Sequence, residues 1–162
     1  MKKVALIYIG LLFFPILSIA QNPDEWRKPS AMNRFHPGEK VVVDSVSQLG
    51  RWAVVFEDDG DTGYFYALDL NEQNKGHNPI QEALHIYNVK NISDKDRESI
   101  AVILWSEDGQ KACLLINDYP HSIVDFKAKR GYCRTNSPPP GKWKDHDFKW
   151  DDNVLKYFKK NG

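Results

Sequence analysis

Short apolar runs separated by turn residues occupy most of the chain, and their period is two. Residues 52–57 set Trp52, Val54 and Phe56 against Ala53 and Val55, and residues 63–68 set Tyr64, Tyr66 and Leu68 against Phe65 and Ala67. Between them Asp58-Asp59-Gly60-Asp61-Thr62 supplies turn formers, so the two segments form a hairpin. Residues 84–89 are a further strand, and residues 79–83 before it make a helical turn. Residues 100–105 and 111–116 flank Asp108-Gly109. That dipeptide favours a tight hairpin turn, here of type I′ with positive φ at both positions. Centring the turn there places Trp105 opposite Ala112, Leu104 opposite Cys113 and Ile103 opposite Leu114. Both faces of this hairpin are apolar, so both must be covered. Asn117-Asp118-Tyr119-Pro120 turns the chain into residues 122–126, and residues 131–141 form a loop with three prolines.

The two ends read differently. Residues 21–39 are polar, with Pro23, Pro29 and Pro37, and form an extended arm with Trp26 and Phe35 docked on the domain. Near the C-terminus the period lengthens. Trp150, Val154, Tyr157 and Phe158 fall at i, i+4, i+7 and i+8 behind Asp151 as N-cap, the stripe of an amphipathic helix. The fold expected for residues 40–162 is one mostly β (α+β) domain. It is an antiparallel meander sheet of six or seven strands with the C-terminal helix packed on it.

The first twenty residues stand apart. Lys2 and Lys3 precede an apolar stretch, Pro15 interrupts it, and Ser18-Ile19-Ala20 ends it with small residues at the −3 and −1 positions. This is the pattern of a secretory signal peptide, cleaved before Gln21. The expected destination is the periplasm or the exterior of a bacterium, without membrane insertion after cleavage.

Composition narrows the function. The chain of 162 residues carries 22 basic and 22 acidic side chains and is 12% aromatic. Losing the leader removes two lysines and leaves a slight acidic excess, which argues against nucleic acid as a partner. Export favours a disulfide between the two cysteines, and closing a loop of about twenty residues is worth up to ~3 kcal/mol. The hairpin register opposes it, because Cys113 lies across from residues 123–125, well short of Cys133. Cys113 is therefore expected as a buried free thiol.

The densest polar cluster is the hairpin loop with Glu57, Asp58, Asp59 and Asp61. A Ca²⁺ loop needs acids at positions 1, 3, 5 and 12 and Gly at 6. Counting from Glu57 places Thr62 at 6 and Leu68 at 12; counting from Asp58 places Gly60 at 3 and Thr62 at 5. Neither frame fits, so no metal is assigned. The loop reads as a solvated turn pre-organised for a cationic partner. The five histidines show no paired spacing for zinc, and there is no C-x-x-C, nucleophile elbow, phosphate loop or dinucleotide fingerprint. No cofactor is expected.

The run Val55-Phe56-Glu57-Asp58-Asp59-Gly60-Asp61-Thr62-Gly63-Tyr64-Phe65-Tyr66-Ala67 and the run Ala83-Leu84-His85-Ile86-Tyr87-Asn88-Val89 resemble a family of uncharacterised bacterial proteins, a domain of unknown function. Trp105-Ser106-Glu107-Asp108-Gly109 and Gly131-Tyr132-Cys133-Arg134-Thr135-Asn136 belong to the same pattern, which spans residues 40–158. The resemblance implies no activity and carries over no catalytic residue.

The expected function is non-enzymatic binding of a protein or small ligand by an exported domain. The candidate binding residues are Glu57, Asp58, Asp59, Asp61, Tyr64 and, if its strand neighbours theirs, His85. Two rivals are a periplasmic hydrolase using Glu57, Asp59 or Asp61 with His85, and a Ca²⁺-stabilised module. Tyr64, Tyr66, Trp52, Trp105, Trp143 and Trp150 form the core or line a carbohydrate or peptide surface. The leader generates the first prediction: mass spectrometry of the envelope protein should find Gln21 as its first residue, and an intact Met1 terminus would refute it.

Overall fold

Each strand of the first hairpin region buries alternate residues, and such a sheet needs one covering layer; the later hairpin needs two. The computed structural model, which describes residues 25–135, 141–143 and 149–160, meets both needs with stacked layers. Nine antiparallel strands among the described residues form two sheets. They are β1 (Ala31–Phe35), β2 (Val41–Val46), β3 (Trp52–Asp58), β4 (Thr62–Asp69), β5 (Ile80–Asn88), β6 (Ser99–Trp105), β7 (Lys111–Ile116), β8 (Tyr119–Asp125) and β9 (Arg130–Cys133). One sheet has the order β2-β3-β4-β5, the other β1-β6-β7-β8-β9.

The expected single meander is thus two meanders. The chain leaves the first sheet after β5 and lays the second against its apolar side. β4 buries every second residue, whereas β6 and β7 are buried almost throughout. A single extended sheet would leave one side of β6–β7 in water. Phe56, Phe65 and Leu84 of one sheet and Ile103, Leu114 and Val124 of the other are fully buried between the layers, each worth ~1.5–3 kcal/mol of burial.

The second cluster lies on the far side of the five-stranded sheet, where Leu104, Cys113 and Ile123 meet Trp26, Val154, Leu155 and Phe158. The two chain ends make this third layer together. Trp26 bridges to Lys159, and Arg27 N donates to Phe158 O at 2.8 Å. Trp26 and Phe35 are both buried. The segment read as an arm also supplies β1, an edge strand against β6.

The C-terminal element departs from expectation. It is a seven-residue 3₁₀ helix, Asp152–Phe158, capped by Asp151. A 3₁₀ turn repeats every three residues, so Leu155 and Phe158 with Val154 face the sheet, while Tyr157 is 43% exposed. Trp150 precedes the helix and packs under the Arg134 guanidinium, 4.0 Å from the ring centre. An α-helix, α1 (Leu70–Asn74), lies before rather than within residues 79–83, and a short 3₁₀ turn, Val89–Asn91, follows β5. The Asp69 carboxylate caps α1, accepting from Asn71 N at 3.0 Å.

The central hairpin has the expected register, with Ile103 opposite Leu114 and Leu104 opposite Cys113. Its turn does not have the expected type. Gly109 has φ +67° but Asp108 is not left-handed, and Gly109 N donates to Ser106 O. This is a type I turn closed by a left-handed glycine. The two-residue turn with positive φ at both positions lies one hairpin later, at Asn117 (53°) and Asp118 (62°).

Both cysteines are buried and free. Cys113 aligns with Ile123 and then Tyr132, whereas Cys133 aligns with Ser122. The two thiols therefore sit on opposite faces of one sheet, Cys113 in the outer cluster and Cys133 between the sheets. A bridge between them would have to pass through the sheet, which disulfide geometry forbids.

The Gly109 turn is also a docking point. Ser47 Oγ donates to Gly109 O at 2.7 Å and Gln48 Nε2 to Glu107 O at 2.8 Å. A Cβ at Gly109 would lie 2.6 Å from Ser47 Oγ. Gly109→Val should therefore destabilise by about 2 kcal/mol or more, from left-handed backbone strain plus this clash. Denaturant unfolding checks it, and a variant melting like the parent would refute the docking.

Candidate functional site

The β3–β4 hairpin forms as its sequence requires, with Asp58 opposite Gly63 and Glu57 opposite Tyr64. β5 pairs with β4, and His85 lies opposite Tyr64. Val42 of β2 completes the row. Val42, Glu57, Tyr64 and His85 therefore run side by side across four strands, on the face of the sheet turned away from the core. The next row is Asp44, Val55, Tyr66 and Ala83.

These side chains touch. The Tyr64 and Tyr66 rings stack with centres 5.8 Å apart, and Tyr64 meets the His85 ring edge to face at 5.4 Å. The Tyr66 hydroxyl lies close to the Glu57 carboxylate. Partial burial, then this carboxylate, pushes the Tyr66 hydroxyl up to about 12. His85 Nε2 lies 3.3 Å from Asn88 Oδ1. Glu57, Tyr64 and His85 are each half-buried, while Val42 is 56% exposed. The face carries two carboxylates, Asp44 and Glu57, and no Lys or Arg in these two rows.

The remaining acids of the loop are engaged elsewhere. Asp58 points into the body and is buried. Its Oδ2 accepts from Gly38 N at 2.8 Å and from Tyr87 Oη at 2.7 Å, and its Oδ1 accepts from Gly60 N at 2.8 Å. Tyr87 lies flat over Gly63, where a Cβ would come within 2.7 Å of the ring. Burial, then Asp58, raises the Tyr87 hydroxyl well above its ordinary range. Asp59 Oδ1 accepts from Asp61 N and Thr62 N at 2.9 and 2.8 Å. These backbone donors hold Asp59 below the usual carboxylate range. Asp61 stands at the exposed loop, and its carbonyl accepts from Val89 N.

Of the six residues selected from the sequence, Glu57, Tyr64 and His85 come together. Asp58 and Asp59 build the turn, and Asp61 stays at its tip. The geometry also bears on the hydrolase pairing. Glu57 and His85 flank Tyr64 two strand spacings apart, about 10 Å, on an open face rather than across a cleft. Direct proton exchange between them needs hydrogen-bond reach. Among the described residues, no three His, Cys, Asp or Glu side chains converge on a space that could hold a metal ion.

The tryptophans divide as well. Trp105 and Trp143 are buried. Trp52 stacks on Phe126 at 4.7 Å and carries the Arg51 guanidinium 4.1 Å above its ring. Arg51 in turn binds Asp69 through two hydrogen bonds, at 2.8 and 3.2 Å. This pairing, assisted by Asn71 N, holds the Asp69 carboxyl low. The partners of Trp52 are already in place, so it is packing rather than an open platform.

Sequence reasoning named Tyr66 only among the aromatics of the core or of a binding surface, and it passed over Glu82 as a buried acid. Glu82 is fully buried, accepts from Ala83 N and Gly141 N, and is pushed up by desolvation. The signal for it exists: Glu82 shares the period-two phase of Leu84, so it falls on the core side of β5.

The fold and this face define a class: a two-sheet antiparallel β domain with one covered sheet and one open, tyrosine-bearing sheet. Within that class the chain belongs to a bacterial family described as "Uncharacterized protein conserved in bacteria (DUF2251)", whose model matches residues 35–159. The expected membership of an uncharacterised bacterial family holds. An uncharacterized protein of Haemophilus influenzae is 46% identical over 89 residues, covering 55% of this chain and 53% of its own length. The chain thus spans about half the length of that curated relative. No solved structure matches. The proposed leader and its cleavage junction, His146 and the Pro138–Pro140 connector lie outside the described residues.

The division of labour within the acidic loop makes a prediction. Asp58→Ala strands three donors and should cost about 3 kcal/mol or more. Glu57→Gln should cost less than about 1 kcal/mol. Urea midpoints of the two variants check this, and equal losses would refute it.

Proposed function

We propose that this chain is an exported, non-catalytic binding domain that takes a cation-bearing partner on the outer face of the four-stranded sheet. The observation that carries the reading is the contiguous row of Glu57, Tyr64 and His85, extended by Tyr66. Glu57 on β3 and Asp44 in the neighbouring row on β2 place two carboxylates beside the rings, and no layer among the described residues covers them. Tyrosine rings give flat amphipathic area at low entropic cost and attract a Lys or Arg head over their faces. Asp44 and Glu57 supply the opposite charge. A soluble sheet face is normally polar in alternation; this one keeps Val42 and Val46 about half exposed, as a docking surface does. Export rests on the leader pattern of the first twenty residues, and it places the partner in the envelope or outside the cell.

The test is a titration of the isotope-labelled mature chain with a short Arg- and Lys-rich peptide, followed by amide shifts. Saturable shifts confined to the rows of Glu57 and Val55 are expected. They should be lost in Glu57→Lys/Tyr64→Ser and weakened by salt. Shifts scattered over the surface, or unchanged in that variant, would overturn the reading.

A further inference from the structure

The outer face of the five-stranded sheet is covered incompletely. The chain ends close over Leu104 and Cys113, but towards Ile100 the cover stops. A groove of about 430 Å³ opens there. Its floor is Ile100, Val102 and Leu115, and Trp26, Pro29 and Met32 wall it. Met32 lies opposite Val102, which lies opposite Leu115, so a single ladder row runs across the floor. Met32 is 63% exposed, the largest exposure among the large apolar side chains described. This is the opposite layer of the molecule from the tyrosine face.

The charge around the groove says what suits it. Among the described residues its lining carries Lys28, Lys160 and Arg27, the last also paired with Glu107 at 3.6 Å, against one acid, Asp118. The wall also holds a stranded donor. Trp26 is 5% exposed, and its indole Nε1 is buried with no acceptor among the described residues. A buried N–H without an acceptor costs about 1–3 kcal/mol, and native structures rarely keep one without a reason. That donor is itself sealed from solvent, so the occupant follows from the apolar trough and the basic rim, which are complementary to an apolar chain ending in an anion.

We propose that the groove binds the monomeric carboxylate of a fatty acid. The alkyl chain lies along Met32, Val102 and Leu115, and the carboxylate stays at the Arg27–Lys28 rim within the field of the basic side chains. Each buried methylene contributes ~0.8 kcal/mol, so affinity should rise with chain length until the trough is filled. An uncharged chain of equal length lacks the rim attraction. Residues 21–24, Gln-Asn-Pro-Asp, are polar and offer no apolar occupant of their own.

The experiment uses the delipidated mature chain, Gln21 to Gly162, titrated with laurate below its micellar concentration. Binding is read by calorimetry and by the indole N–H resonance of Trp26, assigned with Trp26→Phe. One-to-one saturable binding, a shift of that resonance and a raised melting temperature are expected. Decanoate should bind several-fold more weakly, and dodecanol at least tenfold more weakly. Met32→Lys, at an exposed site that tolerates charge, should lower laurate affinity at least tenfold. Lys28→Glu should lower it several-fold. Glu57→Lys/Tyr64→Ser should leave it unchanged, so failure of the tyrosine face and failure of the groove are separable. No saturable binding, a lowered melting temperature, equal affinity in Met32→Lys, or dodecanol as strong as laurate would overturn the proposal. So would binding only to vesicles of anionic phospholipid, which would make the groove a membrane contact.

Discussion

Strands β6 and β7 carry apolar side chains on both faces, and a two-faced hairpin must be covered twice. That constraint organises the molecule. One cover is the four-stranded sheet, whose own strands are apolar on one side only and so present the other side to water. The second cover has no sheet left to supply it, and the two ends of the chain provide it as Trp26, Leu155 and Phe158. The open tyrosine face and the incompletely covered groove both follow. One is the outer side of the first cover, and the other is where the second cover runs short.

Much of this was legible in the residue pattern. The strands implied by alternation are present, and centring the central turn on Asp108-Gly109 placed Ile103 opposite Leu114 because a period of two tolerates no slip. What alternation does not carry is how hairpins associate. β1 and β9 are short, lie in Pro- or Lys-rich stretches and owe their extended form to neighbours far along the chain. The C-terminal stripe misled for a different reason. Trp150, Val154, Tyr157 and Phe158 satisfy a 3.6 period, but Leu155 also needed burial, and a 3₁₀ turn aligns Leu155 with Phe158. Turn type likewise depended on tertiary contact, since Ser47 and Gln48 grip the Gly109 loop from the other sheet.

The site was half legible for a chemical reason. A cluster of carboxylates looks alike in sequence whether its oxygens face solvent or accept backbone N–H groups. Asp58 and Asp59 do the latter, and the hairpin needs them because its loop leaves the amides of Gly60, Asp61 and Thr62 without ladder partners. Glu57 escapes that fate by strand parity, which turns it outward beside Tyr64. Parity also turns Tyr66 outward, which decides between the two readings an aromatic allows, core or surface, in favour of the surface.

The closure of the outer layer by both termini has a consequence for how the molecule is made. Trp26 and Phe158 are 132 positions apart in the sequence, and the contact between their segments is complete only when both are present. The outer hydrophobic surface is therefore sealed only once residues 154–158 have been made. Until then a nascent chain would keep Leu104, Cys113 and Ile123 open to water and to chaperones.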